Sequence, residues 1–241
     1  MASGQHSLIA ARLRVSLTNS IEDTPQPNGA RPYPPMLPEW AIEICRPIVA
    51  FISRMLWRVR WRNTEHIPLS GSGIIIAANH QTYIDPFWVG VPVRRPVRFL
   101  AWDAAFSWPL VGYFLKLFGA WPLQLEGTDP APIRRSLQWI GEGGAVVIFP
   151  EGGRGNADGT MKKCKAGAAR MALEANVPIL PVTIRGGQRV WPNTVRFPRF
   201  TRGVEIVYHP IIRVEQKEAE TGRAAARRET ERLAEIIRSA L

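Results

Sequence analysis

From Gly73 onward the chain moves between two hydrophobic rhythms. Short runs rich in Ile and Val, namely Gly73 to Ala78, Val97 to Trp102, Ala145 to Phe149, Ile179 to Ile184 and Val204 to Tyr208, read as strands. Between them, residues 104 to 118, 131 to 142 and 164 to 175 repeat apolar positions every three or four residues and read as helices, and Leu233, Ile236, Ile237 and Leu241 mark a closing helix. Because the strands are apolar throughout rather than alternating, both faces of their sheet need cover. The pattern predicts an α/β fold: a single domain with a mostly buried mixed sheet flanked by helices, its ligands expected beyond the carboxyl ends of the strands.

Upstream the rhythm changes. Trp40, Ile44, Ile48, Phe51, Met55 and Val59 fall on one helical stripe while Glu43, Arg46 and Arg54 face elsewhere, and Pro47 should kink this helix or start its second half. Residues 39–62 therefore read as an amphipathic membrane-interface helix preceding the α/β domain of 63–241, the part of the chain that carries the candidate chemistry. A stripe packed on the domain core would look identical in sequence. Residues 1–38, ending in Arg31-Pro32-Tyr33-Pro34-Pro35, lack periodicity and read as disordered or loosely attached. They contain no apolar stretch long enough for a secretory signal; the first 21 carry Arg and Ser without an acid, a composition shared by organelle transit peptides and by many disordered tails. Ala104 to Leu125 is the best membrane-span candidate, but Lys116 sits inside it and Pro109, Gly112, Gly119 and Pro122 break it, so attachment should be peripheral.

Composition narrows the partners. With 241 residues, 46% of them hydrophobic, the chain can bury a sizeable core. A net charge of +11 draws polyanions: nucleic acid, an anionic bilayer or a phosphorylated substrate. No zinc-finger or RNA-recognition spacing supports nucleic acid. Nine tryptophans, some interleaved with arginine as in Trp57-Arg58-Val59-Arg60-Trp61-Arg62, suit a membrane interface, although core packing explains tryptophans equally well. Cys45 and Cys164 match no metal-ligand spacing, so neither a metal site nor a disulfide framework is expected, and a reducing compartment fits best.

Two polar clusters each follow a strand directly: Asn79-His80-Gln81-Thr82-Tyr83-Ile84-Asp85-Pro86 and Pro150-Glu151-Gly152-Gly153-Arg154-Gly155. On a regular helix, residues five apart point about 140° from one another, so His80 and Asp85 can pair only if the chain turns between them. Pro86 supplies the turn, since it suits the first helical position and pushes Asp85 into the N-cap role, leaving His80 free in the loop. A carboxylate on one imidazole nitrogen fixes the tautomer and leaves the other to take a proton from a hydroxyl. Taken alone, such a pair can equally be a helix cap beside a histidine that satisfies a loop carbonyl. The second cluster presents Glu151 and Arg154 on a glycine-rich turn where backbone amides and a guanidinium can meet an anion, and Lys162, Lys163 and Lys165 add positive charge at the start of the next helix.

In order, Asn79-His80-(four residues)-Asp85-Pro86, Phe149-Pro150-Glu151-Gly152-x-Arg154, Lys165-x-Gly167 and Val177-Pro178-Ile179-Leu180-Pro181-Val182 resemble the motifs of the 1-acylglycerol-3-phosphate O-acyltransferase family, over residues 60 to 210. The resemblance implies a phospholipid-biosynthetic enzyme. It would move a fatty acyl group from acyl-CoA or acyl carrier protein, with no other cofactor, onto the free hydroxyl of a lysophospholipid, 1-acylglycerol-3-phosphate, giving phosphatidate. It further implies His80 as catalytic base with Asp85 as its partner, Asn79, Glu151, Gly152, Arg154 and Lys165 around the acceptor, and Val177, Pro178, Ile179 and Pro181 shaping the acyl site. The expected location is an anionic membrane at its cytoplasmic face, with no nucleic acid bound.

Departures from the family pattern keep other readings open. Gly153 and Gly155 stand where relatives usually have Thr and Ser, and Trp102 and Leu125 lie where relatives commonly have an acceptor-binding Lys and Arg. The same chemistry on another lysophospholipid or lipid alcohol is therefore an alternative, as is a non-enzymatic basic membrane-binding protein. A covalent route through Cys164 would draw on the neighbouring lysines to favour its thiolate.

Overall fold

The computed structural model describes residues 37–69, 71–124, 130–192, 194–195 and 197–241, which belong to one compact unit, Pro35–Leu241. The expectation of a disordered or loosely attached segment over residues 1–38, with its comparison to transit peptides, falls up to residue 36 outside the described residues, as does Leu125.

Element order is α1 (Glu39–Trp57), β1 (Arg60–Arg62), β2 (Ile74–Ala78), α2 (Asp85–Gly90), β3 (Val97–Trp102), α3 (Pro109–Leu117), β4 (Ala120–Leu123), α4 (Ala131–Gly141), β5 (Ala145–Ile148), α5 (Gly167–Ala175), β6 (Ile179–Arg185), the single turn α6 (Gly187–Val190), β7 (Glu205–Tyr208) and α7 (Gly222–Arg238). Seven strands form one sheet in the order β1-β7-β6-β2-β5-β3-β4. Every pairing is parallel except β6 with β7, so the sheet is mixed.

Two cores result from the pleat, because successive strand residues point to opposite faces. Ile74, Ile76 and Ala78 of β2 join Val182 and Ile184 of β6 on the face covered by Trp57 of α1 and Trp88 of α2. Ile75 and Ala77 join Val146 and Ile148 of β5 on the other face, under Ile140 of α4, Met171 of α5 and Leu233 and Ile237 of α7. The continuous apolar strands are thus explained: both faces are buried.

Several expected boundaries shift. The helix expected over 104–118 is a short 3-10 segment, Asp103–Ser107, followed by α3. The helix expected from 164 starts at Gly167, so the three lysines belong to the loop before it. The strands β1 and β4 were not anticipated.

The amphipathic stripe of α1 faces outward. Trp40, Ile44, Ile48, Phe51 and Met55 are 53–68% exposed, while Ala50, Ser53 and Trp57 form the buried side. Pro47 sits inside the helix without ending it, and the helix stops at Trp57 because Arg58 adopts a left-handed conformation at φ 50°, its amide closing onto the Arg54 carbonyl. Within the Trp/Arg stretch the rings turn inward, Trp61 donating to the Trp88 carbonyl at 2.8 Å, and Arg58, Arg60 and Arg62 turn outward. No helix among the described residues is long and apolar enough to cross a membrane.

Candidate active site

The loop after β2 closes around one carboxylate. Asp85 is fully buried, and its Oδ2 accepts from His80 Nδ1 at 2.9 Å, from the Gln81 amide at 2.5 Å and from the Thr82 amide at 2.8 Å, while Oδ1 accepts from the Thr82 hydroxyl at 2.7 Å. Thr82 Oγ1 in turn accepts the Ile84 amide at 3.0 Å. The helix α2 begins at Asp85 with Pro86 in its first turn and no side-chain cap. Asp85 therefore does not cap its own helix as expected; its carboxylate turns back and gathers the orphan amides of the preceding loop. His80 Nδ1 lies within reach of that oxygen, and its ring stacks on Phe149 at 4.1 Å between centroids. Nε2 makes no hydrogen bond among the described residues, and the His80 side chain is 16% exposed.

A second carboxylate joins this loop to the one after β5. Glu151 Oε1 accepts the His80 amide at 2.8 Å and Oε2 accepts the Lys162 amide at 2.7 Å. Burial pushes the Glu151 carboxyl up, against the opposing pull of those two amides. The Gly155 amide donates back to the His80 carbonyl at 2.6 Å, so the two loops hold each other in both directions. Asn79, also buried, clamps β6 by donating to the Ile184 carbonyl at 2.8 Å and accepting its amide at 2.6 Å. Glu151 and Asn79, expected around the acceptor, thus have their polar atoms committed to backbone.

Arg154 lies over the Tyr83 ring, 3.9 Å from its centroid, donating to Tyr83 Oη at 2.9 Å. Tyr83 also meets Trp191 and Trp108 edge to face at 5.2 and 5.4 Å, and Trp108 meets Trp102 at 6.4 Å. An aromatic wall therefore runs from the end of β3 to the arginine. Gly152, at φ +69°, lets the Lys165 side chain approach: a Cβ there would stand 3.0 Å from Cε and Nζ.

An acyltransferase family model matches residues 58–185, from just before β1 to the end of β6. The chain belongs to the acyltransferase family. Within it, 1-acyl-sn-glycerol-3-phosphate acyltransferase BAT2, chloroplastic, of Brassica napus is 27% identical over 132 residues, 53% of this chain and 37% of that protein. The 1-acyl-sn-glycerol-3-phosphate acyltransferase of Bacillus subtilis is 28% identical over 145 residues, 60% of this chain and 71% of that protein. The chain spans well under half the length of the Brassica napus protein. The crystal structure of PlsC, the 1-acyl-sn-glycerophosphate (LPA) acyltransferase of Thermotoga maritima, shares the fold with a TM-score of 0.64 and 21% identity, covering 84% of this chain and 79% of that one.

In this member of the acyltransferase family, the departures from the family pattern acquire geometry. Gly153 has open space where a side chain would start, whereas a Cβ at Gly155 would stand 3.1 Å from Glu151 Oε2 and 3.3 Å from the His80 carbonyl. Trp102 is exposed at the carboxyl end of β3. Val177, Pro178 and Ile179 lie at and just before the start of β6, at the other end of the strands from the His80 loop: Ile179 pairs with Ile75, three residues or about 10 Å of strand before β2 ends at Ala78. Pro181 pairs with Ala77 in the sheet interior. The Cys164 thiol is pushed up by burial and further by the Glu151 charge, opposite to the effect expected of its lysine neighbours. Sequence reasoning missed Thr82 and Tyr83 as parts of the site; their only signal was an unbroken polar run leaving a buried strand.

Proposed function

We propose that this chain transfers a fatty acyl group from a thioester, acyl-CoA or acyl carrier protein, to the free hydroxyl of 1-acylglycerol-3-phosphate, giving phosphatidate. His80 Nε2 takes the hydroxyl proton as that oxygen attacks the thioester carbonyl, and Asp85 stabilises the imidazolium that forms. The tetrahedral intermediate collapses by breaking the carbon–sulfur bond, and the imidazolium returns the proton to the departing thiolate. The observation that carries this reading is the buried Asp85 carboxylate, fixed by two backbone amides and bonded to His80 Nδ1, which leaves the opposite imidazole edge for the substrate. Asn79 and Glu151 act by positioning the loops, and Arg154, Gly152 and Lys165 line the anionic side of the acceptor.

A membrane supplies and receives both lipids. The outward stripe of α1 and the exposed Arg54 of the same helix suit an anionic surface at the cytoplasmic face, reached peripherally. Beneath α1, a cavity of about 170 Å³ has Ile42, Val49, Phe87, Phe99 and Phe118 on its apolar side and Glu43, Arg46 and Arg94 among its charged lining, room for part of an acyl chain along the apolar side.

One observation favours a different acceptor. Arg154 packs on Tyr83 and gives one N–H to its phenol oxygen, keeping its charge, and the wall of Tyr83, Trp102 and Trp108 places aromatic rings where a phosphate monoester would gain from further cations. Another lysophospholipid or lipid alcohol fits that wall. Purified protein given a mixed pool of acceptors and thioesters, with products read by mass spectrometry, decides: phosphatidate as the main product supports the first reading, a different acylated lipid the second. Turnover that survives in His80→Ala without at least about a hundredfold loss refutes both.

A further inference from the structure

A second cavity, of about 610 Å³, opens where β1, the carboxyl end of β6, α6 and the start of β7 meet, and Arg58, Arg60, Arg185, Arg189, Arg202 and Glu205 line it. Glu205 is engaged by Arg185 and by Arg62, and Arg189 donates to the Gly203 carbonyl at 2.8 Å. Among the described residues, Arg58, Arg60 and Arg202 have no carboxylate partner. Guanidinium groups crowded in one concavity repel one another, and a polyanion entering it relieves that repulsion. The cavity is joined to the catalytic loop: Gln188 of α6 lines it and donates its amide at 3.2 Å to the side chain of Gln81, the neighbour of His80.

We propose that this cavity holds the phosphates of the acyl donor, which makes the donor a coenzyme A thioester. The proposal rests on the reading of the chain as a thioester-dependent acyltransferase. Coenzyme A carries a diphosphate and a 3′-phosphate, set apart from its thioester by the pantetheine arm, so its charge belongs in a cationic site one loop away from the base. An acceptor phosphate is attached next to the reacting hydroxyl and belongs beside His80 and Arg154 instead. A carrier protein is a folded body too large for a hollow of about 610 Å³, and its pantetheine arm brings a single phosphodiester, whereas coenzyme A brings a diphosphate and a 3′-phosphate to several arginines. Planar guanidinium forks grip phosphate bidentately, the geometry such a hollow favours.

Calorimetric titration of the full chain with free coenzyme A and with 3′-dephospho-coenzyme A tests this, in the wild type and in Arg60→Gln/Arg202→Gln. Both side chains are exposed and without ion pairs, and Arg202→Gln alone serves if the double variant unfolds. The wild type should prefer coenzyme A, and the double variant should bind it about tenfold or more weakly and lose most of that preference. Equal binding by wild type and variant overturns the proposal. So does equal competition by inorganic phosphate. So does loss of binding to phosphatidylglycerol vesicles with coenzyme A affinity unchanged, which would assign the cavity to lipid headgroups. If coenzyme A binding behaves as expected but no acceptor is acylated, the enzymatic reading fails while the site stands. If His80-dependent transfer from acyl-CoA has the same KM in the variant, the site fails and the reading stands.

Discussion

Replacing Asp85 by Asn removes one charge while keeping the shape of the side chain. Three donors converge on Oδ2, from His80, Gln81 and Thr82, and an asparagine oxygen at the same place can still accept all of them. The nitrogen would face Thr82 Oγ1, which can rotate to accept. What is lost is the ionic part of each bond. Bonds to ionised acceptors are worth about twice neutral ones, so the three together should cost about 2–4 kcal/mol, or roughly 4–16 °C in Tm for a domain of this size. The effect on turnover should be larger than the fold requires, because the imidazolium loses its counter-charge: a fall in kcat of about 10²–10⁴ with a smaller change in KM. Thiol release from an acyl thioester, followed continuously, measures the rate, and thermal unfolding measures the stability. If the pair works as a unit, Asp85→Asn/His80→Ala should be no slower than the slower single variant. Wild-type turnover in Asp85→Asn, or losses that multiply in the double variant, would refute the coupling.

Two further outcomes follow from the packing. Burial, and then the charge of His66, hold the His209 imidazole below its ordinary range, so the unfolded chain takes up this proton first on acidification; the stabilisation is complete above the ordinary imidazole range and is lost as the pH falls through it toward the lower folded value. Urea unfolding at a series of pH values should therefore show a shallower acid slope in His209→Gln, and an unchanged slope would count against it. Ile48→Ser/Phe51→Ser removes two outward apolar side chains of α1, worth together about 3–5 kcal/mol if both enter lipid, so partition onto anionic vesicles should drop about 10²-fold or more with little change in Tm. Unaltered partition would move the membrane contact elsewhere.

The central strands were legible because nothing else explains five consecutive apolar residues such as Ile74 to Ala78 beside turn residues. Pro86 made the turn between His80 and Asp85 legible as well. The strand β4 was hidden because Pro122 lies inside it and Gly119 directly before it, both of which read as breaks in a helix. The strand β1 was hidden because a three-residue edge strand with Arg60 and Arg62 flanking Trp61 carries no apolar run. The reversal of β7 leaves no local trace, since direction is decided by where the chain returns from. Nor could the sequence alone place the α1 stripe: the inward positions Ala50 and Ser53 are small or polar, so packing against the core is done by the less hydrophobic side of the helix. Glu151 follows a strand just as a ligand-facing acid would. Its commitment to the amides of His80 and Lys162 depends on which distant donors would otherwise be orphaned, and that is a property of the folded loops.

Those orphan donors explain why two carboxylates, rather than one, stand beside a single histidine. The ring of His80 is held by Asp85, its amide by Glu151 and its carbonyl by the Gly155 amide, so side chain and backbone are fixed from both loops at once. Arg154 leaves the glycine loop one residue before Gly155 and rests on Tyr83, three residues after His80. His80 and the Arg154 guanidinium are therefore coupled: a shift of the glycine loop that re-aims Arg154 also pulls on the His80 carbonyl. Such coupling would preorganise the proposed site, because the distance between the proposed base, His80, and the proposed anion-binding group, Arg154, is set by short hydrogen bonds and not by the substrate. The same coupling leaves the rim formed by Trp102 and Trp108 outside the braces, so under the proposed function changes in that wall should alter which acceptor is taken while His80 stays where Asp85 and Glu151 hold it.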